Sequence, residues 1–506
     1  MTALDPARHP VGVVGAGAMG AGIAQVAAAA GHPVLLFDSV PGRAVAAIAG
    51  IASALNDRVG KGRMTAGQRQ EVLDRLRVAD GLSAVSGAAL VLEAVVEDLA
   101  AKRDLLRAIE ELVSPEAILA TNTSSLSVTG LARTLRHPGR MAGMHFFNPA
   151  PAMPLVEVVC GPATLPEVAR TLADTARAWG KTPVSCRSTP GFIVNRVARP
   201  FYAEAMRLLL EGAGDPATLD AVYRDCGGFR MGPLELADMI GHDVNFAVTR
   251  SVHAASFFDP RFQPSLLQQE LVEAGWLGRK SGRGFYDYSP QAPRPVAMAA
   301  PPAPAPASMI AGPLPAPALG LLERAERRGL AVIRDTSPGV IRLPGATLAL
   351  TDGRSATCRA ADDRVGDLVL FDLVRDWAGA GRVAITGADQ AGTSALAAAA
   401  GLFQALGMTV TVLDDIPGLA VMRTVAMLAN EAAETLSHRV ASAGDIDLAM
   451  TLGVAYPDGP LAWADRIGLP LILGVPPPPP RPSPAARHRP AALLRRRGAA
   501  GGRLHD

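Results

Sequence analysis

A histidine and a glutamate twelve residues apart form the first group in this chain that could move a proton. His145 stands between a strand and a Pro-bounded turn, and Glu157 lies within the apolar strand Leu155–Val159. A buried carboxylate needs a partner, since an unpaired charge is expensive to bury, and His145 is the nearest candidate in sequence. Histidine changes charge near neutral pH. The two residues therefore fit an acid–base pair, although a histidine in this setting is more often a satisfied structural one.

Small polar side chains could bind a reacting oxygen. The strand Ile118–Ala120 leads into the cluster 121–126, in which Ser124 and Ser125 fit either a helix cap or a ligand site. Asn195 lies in an apolar helical segment that begins near Pro190. Such an asparagine either bonds a neighbouring helix or faces a ligand.

A glycine-rich turn predicts a dinucleotide site. The strand 11–14 runs into Gly15, Gly17 and Gly20, an Ala-rich helix follows, and a second strand ends on Asp38. In such a βαβ unit the glycines permit a tight turn, a close pyrophosphate and helix packing, and the helix N-terminus faces the phosphates. The distal carboxylate would accept from a ribose 2′-OH and repel a 2′-phosphate. The expected cofactor is NAD, although the same glycines also occur in ordinary α/β turns.

Three further charged groups fit either ligand binding or plain structure. Glu97 and Lys102 follow the apolar strand 89–95, and in an open α/β sheet ligands sit at strand ends. Taken alone, they fit an ordinary helix-start acid and a surface lysine. The basic segment 56–63 is either a solvated loop or a phosphate contact through Lys61 or Arg63.

Composition predicts a globular enzyme. The 506 residues suffice for about three domains, with 49% hydrophobic and 19% charged residues. A net charge of +2 gives no indication of nucleic-acid binding. The four cysteines lack CxxC spacing, so neither a zinc site nor a disulfide framework is expected. With neither a signal peptide nor a membrane span in the sequence, we expect a cytoplasmic protein.

The second half of the chain repeats the first at an offset of 227 residues. This offset relates Gly180 to Gly407 and Glu204 to Glu431, and it relates the GPL sequences at 232–234 and 459–461. It also sets Ala384 against Glu157 and Met422 against Asn195, and Asp372 falls in the neighbourhood that corresponds to His145. The repeat indicates a duplicated domain that kept its core and lost its chemistry.

With these motifs assembled, the chain resembles the 3-hydroxyacyl-CoA dehydrogenases. The resemblance covers about residues 11–288 and rests on GAGAMG, EAVVE, NTSSL, HFFNP, LVEVV, TPGFIVNR, GPLEL and GRKSGRGFY, which occur in family order. The longer layout is similar to the phenylacetate-degradation type of the family, which acts on 3-hydroxyadipyl-CoA. The resemblance implies an α/β N-terminal Rossmann domain plus an all-α C-terminal domain, followed by a degenerate second copy.

By this resemblance the polar residues take roles. His145 would be the general base that removes the 3-hydroxyl proton, and Glu157 would orient the imidazole. Ser124 and Asn195 would bond the reacting oxygen or the thioester carbonyl, and Lys61 would meet CoA. The expected NAD-binding residues are Gly15, Gly17, Gly20, Asp38, Glu97, Lys102, Asn148 and Lys280. Since the nicotinamide carries the hydride, no metal is expected.

Composition and the repeat divide the chain into six predicted segments. They are a Rossmann domain (1–187), a helical substrate or dimerisation domain (188–288), a Pro/Ala-rich linker (289–319), a degenerate Rossmann-like half (320–414), a second helical domain (415–474) and a Pro-rich, poorly ordered tail (475–506). We expect the second copy's helices to pack on the first helical domain, as an intrachain pseudo-dimer or in addition to a homodimer partner.

Rival functions stay open at this point. Within the family the alternative is a 3-hydroxybutyryl-CoA dehydrogenase, and outside it a β-hydroxyacid or sugar-acid dehydrogenase, which usually depends on a catalytic lysine. A non-catalytic NAD-binding structural protein is disfavoured, because His145, Glu157, Ser124 and Asn195 all persist in the first copy. The expected partner is an acyl-CoA substrate, with neither nucleic acid nor membrane.

Overall fold

The computed structural model describes residues 3–293, 295–475 and 488–506. These residues form two compact units. The first unit runs to Asn195 and also contains Arg439–Val454, and the second contains Arg196–His438 and Ala455–Asp506. A short segment of the second sequence copy therefore belongs to the unit that carries the first sheet.

The first unit is built on one sheet. Its strands are β1 (Val11–Val14), β2 (Val34–Phe37), β3 (Leu76–Val78), β4 (Leu90–Glu93), β5 (Ile118–Thr121), β6 (Met141–Phe146), β7 (Leu155–Cys160) and β8 (Thr182–Arg187). They lie in the order β3-β2-β1-β4-β5-β6-β7-β8. Strands β1 to β6 are parallel, and β7 is antiparallel to β6. The parallel strands therefore end at one edge of the sheet, where ligands bind in such folds.

Helices cover both faces of this sheet, which explains why its strands are nearly continuous apolar runs. They are α1 (Ala18–Ala29), α2 (Arg43–Gly60), α3 (Ala66–Asp74), α4 (Leu99–Leu112), α5 (Val128–Ala132) and α6 (Pro166–Ala178). The short helix α7 (Val194–Val197) follows β8. Asp98 caps α4 by accepting from Ala101 N, and Ser127 caps α5 by accepting from Gly130 N. Helix α2 continues to Gly60, so much of the basic segment expected as a loop is helical.

The second unit begins with the helical domain of the first copy. Its helices are α8 (Arg199–Leu210), α9 (Pro216–Asp225), α10 (Pro233–Ile240), α11 (His242–Ala255) and α12 (Leu266–Glu273). The second copy follows with β9 (Ser308–Ala311), α13 (Leu319–Arg327), β10 (Ala331–Arg334), β11 (Val340–Leu343), β12 (Ala346–Leu350), α14 (Ala356–Asp363), β13 (Leu368–Phe371), β14 (Arg382–Gly387), α15 (Thr393–Ala405) and β15 (Thr409–Val412). Its last helices are α16 (Val421–Ser437), α17 (Ala443–Gly453), α18 (Pro460–Ile467), α19 (Leu469–Gly474) and α20 (Ala492–Ala499).

The second sheet confirms the duplication. Its order is β10-β9-β11-β12-β13-β14-β15, and β13 is antiparallel to β14 just as β6 is to β7. The first residues of β13, β14 and β15 each lie 227 positions after those of β6, β7 and β8. Backbone angles repeat as well, with φ of 49° at Phe192 and 54° at Leu419, and of 100° at Gly241 and 98° at Gly468.

Two sequence expectations differ from the structure. The linker expected over 289–319 contains strand β9, because Met309 and Ala311 point into the core between two neighbouring strands. The tail expected to be poorly ordered over 475–506 contains helix α20, which is held where Asn430 bonds the backbone of Arg489 and Ala491. The Pro-rich positions 476–487 lie outside the described residues.

Helices of the two copies pack together inside the second unit, as the sequence led us to expect. Arg196 Nε donates to Glu431 at 2.6 Å, and Arg423 Nε donates to Glu204 at 2.8 Å. The offset of 227 converts one ion pair into the other. Reciprocal pairs of this kind are the mark of an interface with two-fold symmetry. Within the described ranges we find no helix that is long and apolar enough to cross a membrane.

Candidate active site

His145 and Glu157 meet across two antiparallel strands. They are directly opposite in the register of β6 and β7, and His145 Nδ1 lies 2.7 Å from Glu157 Oε2. His145 is 5% exposed and Glu157 is fully buried. An ionised carboxylate can only accept hydrogen bonds, so this contact requires the proton on Nδ1 whenever Glu157 is ionised. The lone pair of Nε2 is then free to accept a proton from another molecule.

The second oxygen of Glu157 is held by backbone donors. Ile193 N and Val194 N each donate to Glu157 Oε1 at 3.0 Å, where the chain turns into helix α7. The His145 ring packs against Phe147, with ring centroids 4.6 Å apart, and against Phe192 at 5.8 Å. Both the carboxylate and the imidazole are therefore fixed on several sides.

Glu97 organises the polar cluster after β5. Its Oε1 accepts from Thr123 Oγ1 at 2.6 Å and from the backbone N–H groups of Ser124 and Ser125 at 3.0 and 3.1 Å. Burial opposes ionisation of Glu97, but these hydrogen bonds and the ammonium of Lys102 outweigh it and lower its pKa. The cap of the following helix is Ser127, so Ser124 and Ser125 do not have the capping role that the sequence allowed.

Asn195 joins this cluster. Its Nδ2 donates to the backbone oxygen of Ser124 at 3.4 Å, and its side chain is half-buried. Asn195 follows Val194, whose N–H group holds Glu157. The turn before α7 therefore brings Asn195 to Ser124 and anchors the carboxylate of the pair at the same time.

Lys102 is buried, which contradicts the surface position that its local sequence suggested. Its Nζ lies 3.0 and 2.8 Å from the two oxygens of Glu93, 3.2 Å from Val95 O and 3.4 Å from Glu97. Sequence reasoning missed Glu93. The signal was a carboxylate closing an otherwise apolar buried strand, which requires a counter-charge.

Asn122 is a second residue that sequence reasoning missed. Its Oδ1 accepts from Phe146 N at 2.8 Å and thereby fixes the end of β6 next to His145. An asparagine at the tip of one strand can satisfy the backbone of its parallel neighbour. The residue stood in the NTSSL sequence, but its partner could not be read from the chain.

The glycine turn fits a dinucleotide. Gly15 has φ of 103°, and a Cβ there would lie 2.6 Å from Ala94 O; a Cβ on Gly20 would lie 1.8 Å from Gly15 O. None of the described residues comes within 4 Å of a Cβ built on Gly17, which is the N-cap of α1. Gly15 and Gly20 thus pack tightly against the backbone, whereas Gly17 leaves space at the helix N-terminus, where a pyrophosphate would bind.

Asp38 lies beside this turn. Its Oδ2 accepts from Ala16 N at 2.8 Å and its Oδ1 from Val40 N at 2.9 Å, with the guanidinium of Arg43 at 3.6 Å. Strand β1, which feeds the turn, is separated from β6 by three strand spacings, or about 14 Å. The glycine turn and His145 therefore lie at the same end of one sheet, where β1 and β6 both finish.

The remaining predicted ligand residues are at the surface. Asn148 is exposed in the turn after β6, and Lys61 is exposed at the end of α2. Lys280 belongs to the second unit, where its Nζ lies 2.6 Å from Asp243 Oδ2. Within the first unit, Lys61 is not among the residues that contact Glu97.

The second copy replaces the His–Glu pair by one acid. Asp372 aligns with His145 at the offset of 227, and its N–H group donates to Ala384 O at 2.9 Å. Its carboxylate accepts from the N–H groups of Ala420, Val421 and Met422 at 2.9, 2.7 and 2.9 Å. Burial raises the pKa of Asp372 to about 6, although these hydrogen bonds act to lower it. The acid anchors the helix start, and no imidazole stands at this position.

Comparisons with known families agree with this division. The profile described as "3-hydroxyacyl-CoA dehydrogenase, NAD binding domain" matches residues 10–189, and the corresponding C-terminal domain matches 191–288 and 418–501. Residues 348–417 match the "3-hydroxybutyryl-CoA dehydrogenase reduced Rossmann-fold domain". The chain thus carries the NAD-binding domain once and a reduced form of it in the second copy.

Curated relatives match either nearly the whole chain or about half of it. The 3-hydroxyadipyl-CoA dehydrogenase of Escherichia coli K12 is 44% identical over 96% of this chain and 97% of its own length. A probable 3-hydroxybutyryl-CoA dehydrogenase of Deinococcus radiodurans is 42% identical over 55% of this chain and 99% of its own. The crystal structure of a 3-hydroxybutyryl-CoA dehydrogenase from Escherichia coli K12 superposes with a TM-score of 0.88 and 42% identity, covering 98% and 99% of the two chains. The chain belongs to the 3-hydroxyacyl-CoA dehydrogenase family.

Proposed function

We propose that this chain oxidises 3-hydroxyacyl-CoA thioesters to 3-oxoacyl-CoA thioesters with NAD. The observation that carries the proposal is the 2.7 Å contact between His145 Nδ1 and Glu157, at the sheet edge that also holds the glycine turn. Bound NAD supplies the hydride acceptor for the alcohol carbon. The protein supplies the proton acceptor and holds the reacting oxygen.

His145 acts as the general base in this proposal. Its Nε2 takes the proton of the 3-hydroxyl group, and in the reverse direction the same atom returns it. Glu157 keeps the proton on Nδ1 and stabilises the imidazolium once it forms. Because Glu157 is already held by Ile193 N and Val194 N, it need not move during the reaction.

Ser124 and Asn195 orient the substrate. The Ser124 hydroxyl and the Asn195 amide bring donors to the neighbourhood of the pair, where a 3-oxygen or thioester carbonyl gains negative charge. NAD would be held by Gly15, Gly17, Gly20 and Asp38, with Glu97 and Asn148 at the nicotinamide end. Lys61 is kept as a CoA contact and Lys280 as a cofactor contact, on the family resemblance alone.

A dicarboxylic acyl group is the preferred substrate in this proposal. The relative that spans the full length carries the name 3-hydroxyadipyl-CoA dehydrogenase, whereas the full-length structural match is named for 3-hydroxybutyryl-CoA. We also propose the domain boundaries given by the six sequence segments, except that the linker segment contains strand β9 and the tail segment contains helix α20. A cytoplasmic location stays a prediction.

Steady-state kinetics with a set of 3-hydroxyacyl-CoA substrates test the substrate assignment. We expect kcat/KM for 3-hydroxyadipyl-CoA to exceed that for 3-hydroxyhexanoyl-CoA, which has the same chain length without the terminal carboxylate. A preference for 3-hydroxybutyryl-CoA over both would support the alternative substrate. Failure to oxidise NADH with acetoacetyl-CoA or any longer 3-oxoacyl-CoA would overturn the enzyme assignment.

Replacement of His145 by Gln tests the base. The amide keeps a polar side chain of similar size but cannot accept and return the proton, so we expect kcat to fall by about 10²- to 10⁴-fold. The loss is followed by NADH absorbance at 340 nm with acetoacetyl-CoA. NADH affinity, measured by fluorescence titration, should change less than about threefold, or roughly 0.7 kcal/mol.

The control for this variant is His137→Gln, which changes a histidine in the loop before β6. It should retain turnover. Equal loss of NADH binding and turnover in His145→Gln would instead identify His145 as a structural histidine.

Replacement of Asp38 by Ser tests cofactor choice. Removing the carboxylate removes the repulsion of a 2′-phosphate and leaves Arg43 without its partner at 3.6 Å. We expect the ratio of kcat/KM for NADP over NAD to rise at least about tenfold, or about 1.4 kcal/mol. Asp57→Ser, which changes an exposed aspartate of helix α2, is the control. An unchanged ratio would remove Asp38 from the ribose site.

Replacement of Lys102 by Met tests the buried charge pair. Glu93 would lose its counter-charge in a fully buried position, and breaking such a pair costs about 3–5 kcal/mol. Denaturant unfolding should show this loss, and NADH should bind more weakly because Glu97 also loses Lys102. Arg107→Met, on the exposed face of the same helix, should change stability by less than about 1 kcal/mol. Equal stability of the two variants would contradict the assignment.

A further inference from the structure

Helix α17 is the part of the second copy that lies in the first unit. Residues Arg439–Val454 belong to this unit, where α17 packs on β7 and β8. Arg187 N, at the end of β8, donates to Val440 O at 2.8 Å. The strand that carries Glu157 is therefore covered by a helix from the copy that has lost the chemistry.

The end of α17 lies against two residues near Glu157, namely Leu155 on β7 and Val194 at the start of α7. A Cβ built on Gly453 would lie 2.7 Å from Leu155 Cδ2 and 3.1 Å from Val194 Cγ2. Leu155 stands two residues before Glu157 on β7, and Val194 N donates to Glu157 Oε1 at 3.0 Å. Gly453 is not among the positive-φ glycines of the chain. Any side chain at this position would therefore have to displace the methyl groups of Leu155 or Val194, whereas the backbone conformation alone does not favour glycine.

The second unit contains the reciprocal arrangement without the glycine. There Asp414 N donates to Ala213 O at 3.4 Å, and both residues are related to Arg187 and Val440 by the offset of 227. Helix α9 of the first copy packs on β14, and it is followed by Cys226 at the position that corresponds to Gly453.

Leu155 and Glu157 are replaced by Arg382 and Ala384 on that side. Glycine thus occupies the helix end that covers the strand with Glu157, whereas Cys226 occupies the helix end that covers the strand with Ala384.

We infer that Gly453, contributed by the second copy, is a positioning residue for the His145–Glu157 pair. The inference rests on the proposed function. Gly453 lets the helix end lie flush against Leu155 and Val194, which sets the position of β7 and of the N–H group that holds Glu157. The second copy is thereby part of the active-site support, although it carries no reacting group.

Replacement of Gly453 by Val in the full chain tests this inference. The added side chain must displace Leu155 or Val194, and displacements of about 1 Å in a catalytic group cost up to about 100-fold in rate. We expect kcat with acetoacetyl-CoA to fall by about 10- to 100-fold. We also expect KM for acetoacetyl-CoA and for NADH to change less than about threefold, and the pH profile of kcat to shift, because His145 loses its fixed partner.

Gly444→Val is the matched control, since it makes the same change in the same helix. Gly444 is exposed, and none of the described residues lies within 4 Å of its built Cβ. This variant should keep the wild-type kcat and pH profile. Leu155→Ala combined with Gly453→Val makes room for the valine and should recover part of the lost kcat relative to Gly453→Val alone.

The outcomes separate the inference from the proposed function. An inactive wild-type chain defeats the proposed function, whereas an active wild type with unchanged kcat and pH profile in Gly453→Val defeats only the inference. If Gly453→Val does not fold, the smaller Gly453→Ala change is measured instead. A parallel loss of NADH binding and kcat in a folded variant would show a general structural role and overturn the positioning role.

Discussion

The proposed active site depends on one buried hydrogen bond, between His145 Nδ1 and Glu157 Oε2. A carboxylate buried in a sheet is costly unless both of its oxygens are hydrogen-bonded. Glu157 meets this constraint with one oxygen on the imidazole and the other on Ile193 N and Val194 N. Because the same acid satisfies a helix start and orients a ring, the fold and the chemistry depend on the same contact.

The second copy shows what the fold retains when the chemistry is lost. The helix start still needs an acceptor, and Asp372 provides it from the strand position that His145 holds in the first copy. With this acid in place, the position of Glu157 can be filled by Ala384. Both copies therefore anchor this helix start with an acid, and in the first copy the histidine makes that acid part of the proposed proton-transfer pair.

Sequence predicted the features that depend on local pattern. The glycine turn, Asp38, the repeat and the partnership of His145 with Glu157 follow from spacing and from the cost of a lone buried charge. The burial of Lys102 could not be predicted, because its partner Glu93 lies on strand β4 and the residues around the lysine in α4 have the polar and apolar pattern of a surface helix. Strand β9 was hidden because it spans only four residues and follows a Pro/Ala-rich stretch. The repeat also left open whether α17 packs on the first sheet or on the second, because the two copies have similar folds.

The tautomer of His145 is the most direct test of the proposed acid–base pair. In selectively ¹⁵N-labelled enzyme, with His145→Gln used for assignment, NMR distinguishes a protonated ring nitrogen from a bare one. We expect the neutral ring to carry its proton on Nδ1, shifted downfield by the hydrogen bond to Glu157, and to have a bare Nε2. A neutral ring with its proton on Nε2 would contradict the proposed pair, because Nδ1 could not donate to an ionised Glu157 and Nε2 could not accept the proton of the alcohol.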